Sequence, residues 1–424
     1  MILVGAILLT LPVSSTTGEF TPLLDALFTA TSAVCVTGLV VLDTGTYWSS
    51  FGQFVILLLI QAGGLGFMTS STLLLLIFGQ RVSLGQRLVI REALGTTGLA
   101  GLEGLIRQIV LFTLLTESVG AAVLFVRFSL EFSTGTSLWL AVFHSVSAFN
   151  NAGFDLLGEY RSLTLYREDA LVLLTIAGLF IIGGVGYTFL VDVTQQRSFW
   201  RLSLDSKLVL TTTVILLTLG TVIIYGFEAR NPETLGQLGA STQLLNAFFH
   251  SATPRTAGFN SLDVSKLTEN ALMFTIVLMF IGAASASTAG GIKVTTFSVL
   301  LAAIISTIRG RPQAEAFGRE VAHELIYRAL TVVLLAVALV MAVAMLLVTT
   351  ESTTFMKALF ESVSAFGTVG LSTGITPELS AVGKLVVSVT MFAGRLGPLT
   401  LALAFAQAQR PARHRYASEA IKIG

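Results

Sequence analysis

KALFESVSAFGTVGL, residues 357–371, decides the fold, because the chain carries it in three further versions. DALFTATSAVCVTGL (25–39), LAVFHSVSAFNNAGF (140–154) and LNAFFHSATPRTAGF (245–259) align with it without gaps. Each ends just past a glycine (Gly38, Gly153, Gly258, Gly370), and these are spaced by 115, 105 and 112 residues. Ten positions before each glycine stands a phenylalanine (Phe28, Phe143, Phe248, Phe360), and six before it Ser32, Ser147, Ala252 or Ser364. Four copies at a near-constant period mark an internally quadruplicated chain.

The sequence around these segments is that of a membrane protein. Hydrophobic residues make up 54% and charged residues 12%, where soluble domains carry about a quarter charged. The runs 170–191, 208–227, 270–292 and 329–350 hold 22, 20, 23 and 22 residues without an Asp, Glu, Lys or Arg, and a spanning helix needs about 20. A further uncharged run extends from Thr44 to Gln80. A second set of matches follows each glycine segment: QAGGLGFMT (61–69), IGGVGYTFL (182–190), IGAASASTAGG (281–291) and AGRLGPLT (393–400). Each repeat therefore reads as a spanning helix (M1), a half-penetrating pore loop and a second spanning helix (M2). The expected architecture is an all-α integral membrane protein of the potassium-channel-like type, with eight transmembrane helices around one central pore. Its repeats are 1–78, 105–191, 208–308 and 325–407, followed by a tail at 408–424. Met1–Leu11 is apolar without a preceding basic residue, so no cleavable signal is read there. At ~1.5 Å per residue it covers about half a bilayer, which leaves open whether residues precede Met1.

Charge gives the orientation and excludes other classes. The connections 79–107, 192–207, 309–328 and 407–424 hold 15 Lys/Arg against 8 Asp/Glu, and the pore-loop side holds 8 against 15. Basic loops stay cytoplasmic, so the pore loops face outside and the termini inside a multi-pass cell membrane (the inner membrane, where there are two). No basic patch interleaved with aromatics suggests nucleic acid. The single Cys35 excludes a disulfide framework. GGIKVTT lacks the spacing of a phosphate loop, and no HExxH, GxSxG or aspartate pair lies at membrane depth, so no enzyme is read. Four repeats of one orientation favour a pore over an alternating-access carrier built from inverted repeats.

Irregular backbone at membrane depth is tolerated only when buried in protein or lining water. About 10 helical residues reach mid-membrane, and the residues up to each glycine then face a shared cavity. Rings of backbone carbonyls can replace the water shell of a potassium ion, and glycine permits the backbone geometry that turns them to one axis. The candidate donors are Val36-Thr37-Gly38-Leu39, Asn151-Ala152-Gly153-Phe154, Thr256-Ala257-Gly258-Phe259 and Thr368-Val369-Gly370-Leu371. None carries a charge. The alternative is four glycines at the C-termini of ordinary bundle helices.

Between Gly282 and Lys293 the third repeat replaces a helix core with small and hydroxylated residues, Ala283, Ser285, Ser287, Thr288, Gly290 and Gly291 among them. These weaken helix and compete for its hydrogen bonds, so residues 282–293 are expected to form a loop across the pore; close helix packing is the alternative. Arg395 interrupts the last M2 helix where the first has Gly64. A charge at that depth is costly and functional by default, so pore or gate involvement is expected, against snorkelling or pairing with a buried acceptor such as Glu117. Lys293 joins the gate candidates but lies nearer the cytoplasmic side. Glu117 pairs with a neighbouring helix or marks a helix end. His144 and His250 are packing or hydrogen-bonding residues on the pore helices, and Arg255 braces its segment from behind.

TSAVCVTGLV, FNNAGFD, SATPRTAGFNSLD, SAFGTVGLSTG and ASASTAGGIKVTTF together resemble the Ktr/Trk/HKT superfamily of potassium transporters, most closely its bacterial KtrB-type membrane subunits, over essentially the whole chain. The resemblance implies potassium uptake through one filter, with the intramembrane loop as gate and the arginine matching Arg395 beneath the filter. In that family a Ser at the first filter glycine goes with sodium selectivity, so Gly38 implies potassium. It further implies a homodimer, a cytosolic octameric KtrA-type ring binding ATP or ADP, and no covalent cofactor. Sodium coupling stays open, and the alternatives are a sodium- or mixed-cation-conducting transporter and an alternating-access potassium symporter.

Overall fold

Helices account for nearly all regular structure in the computed structural model, which describes residues 1–66, 102–285 and 287–397. In chain order they are α1 (Ile2–Thr10), α2 (Leu23–Cys35), α3 (Ser50–Gly64), α4 (Leu102–Phe128), α5 (Thr134–Phe149), α6 (Ala170–Gly184) and α7 (Tyr187–Gln196). There follow α8 (Leu204–Glu228), α9 (Ala240–Ala252), α10 (Glu269–Phe280), α11 (Val294–Ile308), α12 (His323–Thr350), α13 (Phe355–Gly367) and α14 (Ala381–Leu396). One two-residue hairpin pairs β1 (Glu315–Ala316) with β2 (Arg319–Glu320) between α11 and α12.

Among the described residues three helices are long and apolar enough to cross a membrane: Ile106–Phe128 in α4, α8 and α12. Their outer faces are apolar and exposed, as at Leu114, Val222 and Met345, which suits lipid rather than water. Each is followed by a short helix that ends three to six residues before an aligned glycine: α5, α9 and α13, with α2 the fourth of the kind. They run 13 to 16 residues, longer than the ten or so read from the sequence. Phe28, Phe143 and Phe360 are fully buried between these helices and the bundle. In α9 the fully buried ring is Phe249, packed 5.7 Å from Phe180, and Phe248 is only half-buried.

The next helix in each group, α3, α6, α10 or α14, begins at a side-chain cap. Ser49, Asp169, Thr268 and Ser380 accept from Gly52, Val172, Ala271 and Gly383 N–H respectively, each cap contributing about 1 kcal/mol. The sequence predicts one continuous span in the first, second and fourth groups and a broken one in the third; in the described residues all four helices stop at a comparable point. α3 stops at Gly64 before Gly66 (φ 82°), and α14 at Leu396 before Gly397 (φ 86°). α6 stops at Gly184, and at Gly186 (φ 84°) the chain turns through 90° into α7. α10 stops at Phe280, and residues 281–293 are not helical. The continuations read to 78 and 407, the connection from 79 to 101 and the tail 408–424 lie outside the described residues.

Glycines explain how close these helices come. A Cβ on Gly63, Gly183 or Gly394 would overlap the carbonyl oxygen of Val34, Phe149 or Phe366. Each of those carbonyls lies four residues before an aligned glycine, in the last turn of α2, α5 or α13. The second set of sequence matches is thus where a helix backbone lies directly on the end of its short helix.

Candidate functional site

The four aligned glycines form a closed ring. A Cβ built on Gly38 would run into Ala152 O and stand 3.1 Å from Gly153 Cα; one on Gly153 would stand 2.8 Å from Gly258 Cα. A Cβ on Gly258 would meet Val369 O at 2.6 Å and Gly370 Cα at 3.4 Å, and one on Gly370 would overlap Thr37 O and stand 3.1 Å from Gly38 Cα. Every glycine therefore touches the next segment in chain order, and the fourth touches the first. No larger side chain fits at any of them.

Backbone conformation repeats with the same register. The glycines have φ of 90°, 69°, 78° and 93°, and two residues earlier Val36, Asn151, Thr256 and Thr368 are also left-handed, at 56°, 59°, 68° and 49°. Left-handed conformations cost a non-glycine residue on the order of 1–3 kcal/mol and persist where surroundings over-determine them. In an extended strand successive carbonyls point to opposite sides; left-handed residues at alternate positions turn them toward the same side. Val36, Thr37, Asn151, Ala152, Thr256, Ala257, Thr368 and Val369 are all buried. Each segment also contributes one buried polar atom with no partner among the described residues: Thr37 Oγ1, Asn151 Nδ2, Thr256 Oγ1 and Thr368 Oγ1.

On one side of the ring lies a cavity of about 250 Å³, lined by all four glycines and by Asp155, Tyr160, Asn260, Asp263 and Ser372. Its charged lining is acidic. Burial, with Asp43 adding to it, pushes the Asp155 carboxyl up to about 7, against the Leu157 N–H that it accepts. Asp43 also accepts from Tyr160 N–H at 2.6 Å, tying the loop after α2 to the loop after α5.

On the other side of the glycines lies the non-helical stretch of 281–293. It closes on itself through Gly282 N–H donating to Ile292 O (2.9 Å) and Val294 N–H to Ala283 O (3.0 Å). Thr288 Oγ1 lies 2.9 Å from Asn151 Oδ1. Gly290 packs on the Thr368 side chain, Gly291 within 3.1 Å of Gly367 (both reckoned from the Cβ each lacks), and Gly282 near Thr256. Ser285 shares a hydrogen bond with Thr295, Ser287 donates to Ala284 O, and Lys293 Nζ reaches back to Ala289 O at 2.7 Å. The loop thus meets three segments at their −2 or −3 residues, while the acidic cavity on the opposite side meets them at the glycines.

Arg395 joins this loop to a helix of another group. Its guanidinium donates to Thr288 O and to Gly63 O in the last turn of α3. It does not pair with Glu117, whose carboxylate accepts from Asn150 Nδ2 at 2.9 Å. Arg255 donates to Thr213 of α8 at 3.1 Å, behind its segment as read from the sequence. His144 sits against Leu140 O and Leu156 N–H, and His250 against Thr275; no metal-holding cluster occurs among the described residues. Sequence reading missed the Thr288–Asn151 contact, which no local pattern signals. It also missed the role of Gly63, Gly183 and Gly394, although their recurrence in the second set of matches was visible.

Comparison with known proteins agrees over nearly the whole chain. The family model described as TrkH, cation transport protein, matches residues 4–413. The chain is 44% identical over 411 residues to the Ktr system potassium uptake protein B of Bacillus subtilis, covering 96% of this chain and 91% of that one. It is 43% identical to the protein of the same name from Vibrio alginolyticus (100% and 92%) and 40% identical to the potassium/sodium uptake protein NtpJ of Enterococcus hirae (100% and 95%). The crystal structure of the potassium transporter TrkH from Vibrio parahaemolyticus superimposes with a TM-score of 0.74 at 16% identity, covering 96% of this chain and 83% of that one; this likeness speaks for the fold.

Proposed function

Because the chain belongs to the family of TrkH cation transport proteins, a membrane family with no enzymatic chemistry among these relatives, we propose that it is the ion-conducting subunit of a potassium-uptake system. Potassium passes through the ring of Gly38, Gly153, Gly258 and Gly370, stripped of water by the carbonyls of Val36–Gly38, Asn151–Gly153, Thr256–Gly258 and Thr368–Gly370. The observation that carries this reading is the closed contact of the four glycines with a left-handed residue two positions before each. The orphan polar atom in every segment supports it, since buried polar groups are otherwise paired. The helices are read as four M1–pore-loop–M2 repeats in one orientation, with the acidic cavity outside.

The 281–293 loop is the gate and Arg395 its latch. The guanidinium holds the loop through Thr288 O and stations a positive charge beneath the ring. The names of the B-type relatives speak of a Ktr system, which supports a multi-component assembly; a cytosolic nucleotide-binding KtrA-type ring and a homodimer of this chain are what the resemblance of the sequence motifs implies for it. Sodium-dependent or mixed potassium/sodium transport is a second reading, favoured by the name of the Enterococcus hirae relative. Rubidium and sodium uptake into liposomes holding the purified protein alone separates the two. Rubidium uptake that excess external potassium suppresses and sodium does not supports potassium conduction; equal suppression by both ions overturns it.

A further inference from the structure

Glu117 is a carboxylate on the membrane-spanning α4, 5% exposed, and neither the ring nor the loop uses it. Its surroundings are built around one amide. Asn150 Nδ2 donates to Glu117 Oε1 at 2.9 Å, to Gln61 Oε1 at 3.0 Å and to Val146 O at 2.9 Å. Two hydrogens thus serve three acceptors, which come from α4, α3 and the last turn of α5 itself. The Glu117 backbone is pinned as well, its carbonyl accepting from Ser145 Oγ at 2.6 Å. Asn150 has no freedom on its fourth side, where a methyl on Gly64 would stand 2.7 Å from its Cβ. The next residue is Asn151, the left-handed residue of the second segment. A carboxylate at membrane depth is expensive unless something requires it, and what it meets here is the residue that fixes where α5 stops.

We infer that Glu117 is a positioning residue for cation selection, acting through Asn150 to hold the left-handed turn at Asn151 and hence the carbonyls of the second segment. It touches no ion. The inference rests on the reading of the glycine ring as the filter. Among the described residues no other segment is braced by a carboxylate on a long helix. The residues matching Asn150 are Cys35, Arg255 and Gly367; of these only Arg255 reaches a neighbouring long helix, through Thr213. The brace also shares α3 with the latch, since Gln61 and the Gly63 carbonyl held by Arg395 lie in the same turn. A shift of α3 is therefore felt at both places.

The test is the ratio of rubidium to sodium uptake in proteoliposomes, with thermal unfolding measured on the same samples. Glu117→Gln keeps an oxygen acceptor for Asn150 and should hold the wild-type ratio. Glu117→Leu removes it and should lower the ratio about tenfold, the scale of one lost buried hydrogen bond. Should the leucine variant not fold, Gln61→Met, which removes the acceptor on α3, should lower the ratio in the same direction. An unchanged ratio in a folded Glu117→Leu, or in Gln61→Met where the leucine variant fails, overturns the inference. So does a Glu117→Gln variant as unselective as the leucine. Wild-type protein that shows no preference for rubidium would instead defeat the filter reading, a distinct result.

Discussion

The first and fourth glycine segments are held differently from the second and third. In the first and fourth, the serine six residues back accepts a hydrogen bond from the glycine itself, Gly38 N–H to Ser32 Oγ at 3.1 Å and Gly370 N–H to Ser364 Oγ at 3.2 Å. In the second and third the hydroxyl instead donates to the carbonyl after the glycine, Ser147 to Phe154 O at 2.7 Å and Thr253 to Phe259 O at 2.5 Å. There the polar Asn150 and Arg255 anchor to the long helices α4 and α8, whereas among the described residues Cys35 and Gly367 make no such side-chain hydrogen bond. The third segment moves its hydroxyl one position along because Ala252 occupies the serine site. The ring is therefore two adjacent pairs rather than four equal quarters. Direct contacts join neighbours within a pair, as at Lys384–Asp25 (2.6 Å) and Leu163 N–H to Asn260 O (3.0 Å), and also across pairs, as at Tyr160 N–H to Asp43 (2.6 Å), so the pairing lies in how each segment is held. A fourfold backbone has been kept while its supports have diverged.

Arg395 crosses between the pairs, from α14 of the fourth group to the loop of the third, so neutralising it should give the largest change. At ~6 Å and an effective dielectric near 20, its charge repels a cation by about 3 kcal/mol, about a hundredfold in rate. Arg395→Gln should raise rubidium uptake by the protein alone toward that limit, with the melting temperature little changed. A large fall in melting temperature without faster uptake would make the arginine a brace only. Next in size, Gly64→Ala drives a methyl into Asn150 and should disturb the second segment while leaving the first and fourth intact. Its expected cost is about 1–3 kcal/mol of stability, as for overpacking, with a reduced rubidium-to-sodium ratio.

The two serine roles can be set against each other directly. Ser32→Ala leaves the buried Gly38 N–H without an acceptor, costing about 1–3 kcal/mol. Ser147→Ala removes one donor from a carbonyl that has a second lone pair, so its cost should stay near about 1 kcal/mol. Equal losses of thermal stability would erase the distinction between the pairs. The smallest effect should come from the outer cavity. Acidifying the outside through pH 7 protonates Asp155 and weakens the local field that concentrates cations, so rubidium entry should fall about two- to threefold. Asp155→Asn should flatten that dependence. Because folding raises this pKa above its ordinary range, the associated stability is present at low pH and is lost as pH rises through about 7.

Much of this was legible in the sequence because the repeat pattern is carried by residues that cannot be exchanged. Gly38, Gly153, Gly258 and Gly370 sit where no Cβ fits, so they stay aligned while their supports drift. The loop at 282–293 was visible because Ser285, Ser287, Thr288 and Gly290-Gly291 defeat helix formation locally. What stayed hidden depends on residues far apart in the chain. Arg395 with Gly63 and Thr288, and Glu117 with Asn150 and Gln61, meet only after the groups assemble, and no spacing along the chain predicts them. The breaks in the second apolar runs of the first, second and fourth groups were hidden for a related reason. Hydropathy reports that a run is apolar, but not that Gly66, Gly186 and Gly397 take left-handed backbone within it.

The central claim is that the four glycines act as one selecting ring, and Gly38 tests it best. Its backbone is left-handed, and any side chain there meets the carbonyl of Ala152 in the next segment. Rubidium and sodium uptake should be measured on wild type and Gly38→Ser from matched liposome preparations. The account predicts a wild-type preference for rubidium that collapses in the serine variant, although the protein remains folded and conducting. A folded Gly38→Ser that transports the two ions in the wild-type ratio would contradict it.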